Sequence, residues 1–270
     1  MSVTKDRARF LPTHSSLINT HGEWYFQHIP KTAGTSIASY FNLRSKGHMP
    51  VLRDSMPEDP YKTYCVLRDP IDRFLSAHFM YVVPGMIPEI SQNLNERLER
   101  EFIGATPLKT LMNLTLFIDR EYRSTKSKRP YIGIWPGWDL THFVPQMMWI
   151  KNTQRPAFDF VIDRHINFLN LEREFFEFLS VTHKNSYDLS QDFPYKKKSK
   201  IQDSRWDHVD EIFVNGIFSL YILDYQYALE NCKDIFDTWK FSKQIKKILD
   251  SGAVGPALSL KWYLGPVPET

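Results

Sequence analysis

Two consecutive stretches with the same order of local patterns limit what this chain can fold into. Residues 24–41, WYFQHIPKTAGTSIASYF, pass from a short aromatic segment through a polar turn into apolar residues at helical spacing. Residues 61–79, YKTYCVLRDPIDRFLSAHF, do the same. The pattern predicts strands at 23–29 and 61–67, a helix at 35–43 and a second helix opening at Asp69 and Pro70. Asp69 is suited to cap that helix, and Pro70 fits the first turn, where its missing N–H has no role to lose. Two strand-to-helix units in succession predict an α/β fold: a central, mostly parallel sheet flanked by helices.

The remaining chain fits the same plan. FDFVIDR at 158–164 reads as a third strand, followed by the amphipathic helix NLEREFFEFLS at 170–180 and a long helical region over 207–229. Residues 88–104 and 106–122 read as helical, and RSTKSKRP at 123–130 as a basic surface loop. No repeat or linker divides the chain. The expected organisation is a lead-in at 1–22, a single domain over 23–250 and a tail at 251–270.

Composition removes several function classes. A formal charge of +3 in 270 residues makes the chain no general attractant for nucleic acid, so local basic clusters matter more. No run of about 18 apolar residues occurs, which argues against stable membrane insertion. The two cysteines, Cys65 and Cys232, lie in apolar surroundings and read as buried free thiols. A cytoplasmic, reduced setting is the expectation, unless a membrane anchor is missing from the sequence as given. No compact metal-ligand spacing is present, and none is expected to be needed.

The turn HIPKTAGTS, residues 28–36, lies where a strand hands over to a helix. Amides at a helix start lack internal partners, which suits them to anionic oxygens. Gly34 would allow a tight turn or a close approach, Thr35 and Ser36 add hydroxyl donors, and Lys31 adds a mobile positive charge. The order differs from the nucleotide-binding pattern G-x-x-x-x-G-K-[ST], because the lysine precedes the glycine. A phosphate ester handled by protein groups is favoured over a nucleoside triphosphate with magnesium.

The second unit supplies another anion clamp. Arg68 stands at the carboxyl end of its strand, where it can fork onto a phosphate, and Ser76 lies eight residues on. Both motifs fall at the edge of the sheet where open parallel sheets bind ligands. Arg73 can serve the ligand or pair with an acidic neighbour such as Asp69 or Asp72.

These two segments resemble the sulfotransferases that use 3'-phosphoadenosine 5'-phosphosulfate, in particular the carbohydrate sulfotransferase branch. The resemblance implies a P-loop-like turn in which Lys31, Thr32, Ala33, Gly34, Thr35 and Ser36 bind the 5'-phosphosulfate, with Lys31 catalytic. It implies that Arg68 and Ser76 bind the 3'-phosphate. DLTHFVPQ at 139–146 is similar to the family's histidine-containing segment ending in Pro-Gln. Residues 158–179 are similar to its third strand and following helix, although a glutamate common there is replaced within DRHINFLNL.

The implied reaction is transfer of a sulfuryl group to a hydroxyl, with a carbohydrate as the leading acceptor class. His48 is the candidate base, or else a surface histidine; His142 is either a substrate contact or a packed residue. Trp135 and Trp138 can stack on a sugar or on adenine, or belong to the core. His28 is expected to brace the lysine turn through a hydrogen bond, and His78 to point elsewhere. The loop Lys196–Lys200 can meet an anionic glycan or lie solvated. A nucleotide-dependent kinase and a non-catalytic nucleotide-binding protein are the competing readings.

Overall fold

The computed structural model describes residues 17–21, 23–42, 62–82, 103–124, 140–150, 162–182, 192–194 and 204–252. Its centre is a four-stranded sheet in the order β1 (Leu17–His21), β2 (Trp24–Gln27), β3 (Lys62–Leu67), β4 (Arg164–Asn167). β2, β3 and β4 are parallel, and β1 is an antiparallel edge. The α/β expectation is met by this sheet and its helices.

β3 shows why the sheet carries helices on both faces. Its side chains alternate, so Tyr64 and Val66 enter one core while Cys65 and Leu67 enter another. All four are buried, as expected for an interior parallel strand. On the Tyr64 side, α1 (Gly34–Tyr40) contributes Ile37 and Tyr40, and α5 (Leu171–Thr182) contributes Phe175, Phe178 and Leu179. On the Cys65 side pack α2 (Pro70–Val82), through Ile71, Phe74 and Leu75, and the long helix α6 (Glu211–Asn231). The same core takes in Leu111 and Leu114 of α3 (Pro107–Ser124) and Trp149 of the single turn α4 (Met147–Ile150). α7 (Lys233–Asp237) and α8 (Ser242–Asp250) close it with Phe236 and Ile245.

Helix starts follow the sequence signals. The Asp69 carboxylate accepts from the Ile71 amide at 2.9 Å, which makes it the expected cap of α2. Asp210 does the same for α6, accepting from Phe213 N–H at 2.7 Å. Such caps contribute about 1 kcal/mol each. α6 is bent at Tyr221, whose φ of −119° and ψ of 24° are not helical.

Two sequence expectations are sharpened. Of the lead-in, expected to be extended or loosely packed, residues 17–21 are extended and hydrogen-bonded to β2 as a strand of the sheet. Within the third strand, ladder pairing with β3 runs from Arg164 to Asn167, past the expected end at 164, and the described residues Ile162 and Asp163 precede it. The Asp163 carboxylate accepts the Thr63 amide at 2.7 Å while the Asp163 N–H donates to the Thr63 carbonyl at 2.9 Å, so a side chain takes the place of a ladder carbonyl. Of the helix expected at 88–104, Ile103 and Gly104 are not helical, and of the loop expected at 123–130, Arg123 and Ser124 end α3. Residues 88–102, 125–130 and 158–161 lie outside the described residues, as does the tail from 253. Among the described residues, no helix is long and apolar enough to cross a membrane.

Candidate functional site

The turn from β2 to α1 is built from two left-handed residues. Lys31 has φ 67° and Ala33 φ 68°, and neither is a glycine. Each such residue costs about 1–2 kcal/mol, so the surroundings must hold it. Thr32, buried between them, donates its hydroxyl to the Ile29 carbonyl at 2.9 Å. The first helical bonds come from Ser36 and Ile37, whose amides both donate to the Ala33 carbonyl. The amides of Gly34 and Thr35 precede them and have no carbonyl one turn back. α1 is only seven residues long, so the attraction for an anion would come from these amides and Lys31 more than from a helix dipole.

Packing against a neighbouring ring accounts for the glycine at position 34. The left-handed positions are its neighbours, and what residue 34 lacks is room. A Cβ there would stand 1.8 Å from Cδ2 of His28. The His28 ring, buried and stacked on Phe26, therefore braces the turn by packing against residue 34.

The second motif meets the first directly. Arg68 Nη1 donates to the Lys31 carbonyl at 2.8 Å, and Nε donates to Asp72 at 2.7 Å. The guanidinium lies 4.0 Å from the centre of the Phe168 ring. These contacts leave Nη2 for a ligand. Asp72 also pairs with Arg205 at 3.5 Å, so one carboxylate holds two nearly buried arginines.

Asp72, Ser76 and Met80 are spaced four residues apart on α2 and share one face of it. The Lys31 ammonium reaches that face, 3.5 Å from the Met80 sulfur. Ser76, half-buried, sits on this stripe between the Arg68 partner Asp72 and the Lys31 contact Met80. Lys31 and Arg68 thus reach the two ends of one stripe of α2, with Ser76 on the turn between.

Arg73 is structural. It is fully buried, with Nε donating to the Pro30 carbonyl at 2.9 Å and Nη2 to the Val144 carbonyl at 2.7 Å. Burial pulls its guanidinium below its usual range, against the opposing pull of Tyr221 and Asp224. Asp69 is pushed up to about 7, chiefly by burial.

The histidines separate by environment. His78 is buried and shares a hydrogen bond with Thr110 at 2.9 Å, away from the turn, and burial lowers it to about 4. His142, half-buried, shares a hydrogen bond with the Tyr81 hydroxyl at 2.9 Å. His48, Trp135, Trp138 and Lys196–Lys200 lie outside the described residues. Among the described residues, no group of three or more histidine, cysteine or acidic side chains could hold a metal ion.

Three contributors lie beyond the site residues that the sequence singles out. Asp72 had a local signal, its i+4 spacing from Arg68. Gln146 had its place in the Pro-Gln segment of the resemblance, Asp224 had no signal, and the partners of both lie 77 or 78 residues away. No family model, curated protein or solved structure matches the chain.

Proposed function

We propose that the chain is a sulfotransferase that moves a sulfuryl group from 3'-phosphoadenosine 5'-phosphosulfate to an acceptor hydroxyl on a carbohydrate. The observation that carries the reading is the 2.8 Å hydrogen bond from Arg68 to the Lys31 carbonyl. It joins the two motifs whose resemblance suggested the cofactor, and so supports two anion-binding groups at a spacing one molecule can span. The donor set fits: Lys31, the early amides of α1 and the hydroxyls of Thr35 and Ser36 suit the phosphosulfate, and Arg68 Nη2 with Ser76 suits the 3'-phosphate.

The bound donor supplies the sulfuryl group. Lys31 places positive charge where the S–O bond to phosphate breaks and negative charge develops on the departing oxygen. His48 is proposed to take the proton from the acceptor hydroxyl as its oxygen bonds to sulfur. His142, Trp135, Trp138 and the Lys196–Lys200 loop are proposed acceptor contacts, the last of them suited to an anionic glycan. The P-loop-like character of the turn and a single catalytic domain belong to this proposal.

Calorimetry with adenosine 3',5'-bisphosphate and with ATP, each with and without magnesium, tests it. The expected result is metal-independent binding of the bisphosphate. Tight, magnesium-dependent ATP binding without bisphosphate binding would overturn the reading in favour of a kinase.

A further inference from the structure

The lysine turn and the arginine motif are held by a third segment, residues 143–147, which is bolted at four points. The Tyr221 hydroxyl donates to the Phe143 carbonyl at 2.6 Å, and Arg73 donates to the Val144 carbonyl at 2.7 Å. The Asp224 carboxylate accepts from the amides of both Gln146 and Met147 at 2.8 Å. So fixed, Gln146 turns its side chain onto the main chain of Arg68. Its Oε1 accepts from Arg68 N–H at 3.1 Å and its Nε2 donates to the Arg68 carbonyl at 2.8 Å.

This reciprocal pair sits where β3 ends. A strand residue would ordinarily offer both groups to a neighbouring strand, but here one buried glutamine amide satisfies both. Two consequences follow. The Arg68 Cα is fixed relative to α6 through Gln146 and Asp224, and relative to the Lys31 turn through Arg73, which grips both Pro30 and Val144. The reach of the Arg68 guanidinium to its neighbours then depends on a main-chain position that Gln146 sets.

We infer that Gln146 is a positioning residue for the anion site, acting through the main chain of Arg68 and not by touching the ligand. The inference rests on the proposed reading of that site, in which Arg68 meets the 3'-phosphate. It predicts a signature that general loosening of the fold does not produce. Displacing Arg68 should weaken ligands that carry a 3'-phosphate and spare those that lack it.

The experiment compares adenosine 3',5'-bisphosphate with adenosine 5'-monophosphate by calorimetry on the full chain. The variants are Gln146→Met, which removes both hydrogen bonds at similar length, and Gln146→Glu, which keeps the acceptor for Arg68 N–H and loses the donor to its carbonyl. Thermal melts identify folded protein, and either variant that folds carries the test. The wild type should prefer the bisphosphate, and the variants should lose about tenfold of that preference with 5'-monophosphate binding little changed. Arg68→Ala should cause the same loss, and adding Gln146→Met to it should cost no further preference. An unchanged preference, or equal weakening of both ligands, overturns the inference and leaves the proposed function standing. A wild type that does not bind the bisphosphate overturns the proposed function and this inference together.

Discussion

Arg68 Nη1 donates to the carbonyl of Lys31, a residue 37 positions earlier that adopts a left-handed backbone. The bond ties the end of β3 to the turn after β2, so the two cationic motifs stand or move together. Arg68 also braces the strained turn it is proposed to serve.

Substitution at these two positions should separate chemistry from binding. On the proposed function, Lys31→Ala is expected to lower kcat for sulfuryl transfer by about a hundredfold or more, because the charge stabilisation proposed at the leaving oxygen is lost. Arg68→Ala should instead raise the dissociation constant for adenosine 3',5'-bisphosphate by about tenfold to a hundredfold. Radiolabelled transfer and calorimetry read the two effects. Wild-type behaviour in both variants would remove the site assignment.

Gly34 and His28 should behave as a coupled pair. Adding a methyl group at residue 34 drives it into the buried imidazole, and Gly34→Ala is expected to cost about 1–3 kcal/mol in urea denaturation. Removing the ring clears the space, so Gly34→Ala made on a His28→Ala background should cost clearly less. Additive costs would show that the ring does not set the requirement for glycine.

What was legible in the sequence was local. The strand–turn–helix order, the Asp69 cap and the buried cysteines each rest on neighbours within a few residues, where propensity and spacing act directly. The pairing of Leu17–His21 with β2 was not legible, because five residues of LINTH carry no periodicity and pairing alone makes them a strand. The place of Asp163 beside β3 was not legible, because its carboxylate mimics a ladder carbonyl, a substitution that hydrophobic pattern cannot register. At the site, residue types and spacing singled out Lys31, Arg68 and Ser76. The groups that fix Arg68, namely Gln146 and Asp224, depend on contacts 77 or 78 residues apart that only the folded chain creates.

The two thiols should be inert until the chain unfolds. Cys65 is fully buried and burial raises its thiol well above the usual range, while Cys232 is pushed up to about 12, also by burial. Only the thiolate reacts with a disulfide reagent. Labelling with a chromogenic disulfide at pH 8 should therefore be slow in buffer and rapid for two thiols in denaturant. Prompt labelling of either thiol in buffer would contradict their placement beneath β3 and α6.

Stability should respond to pH through opposing buried groups, and Asp69→Asn should expose the balance. Burial raises Asp69 from 3.8 to about 7 and Asp224 from 3.8 to about 6. Between the unfolded and folded values the native chain holds protons the unfolded chain has released. Their contribution is present below pH 3.8 and is lost as pH rises through the folded values. Burial lowers His78 and His165 from 6.5 to about 4, so their contribution is present above pH 6.5 and is lost as pH falls. Between about pH 4 and 6 the two slopes offset each other, and the wild-type profile should be nearly flat over that window. The Asp69→Asn variant keeps a side-chain oxygen to accept the Ile71 amide but does not titrate at that position. Its stability relative to wild type should therefore rise by about 1.4 kcal/mol per pH unit from about pH 4 to 7. Urea denaturation across that range measures it, and parallel profiles for the two proteins would show that Asp69 does not titrate there.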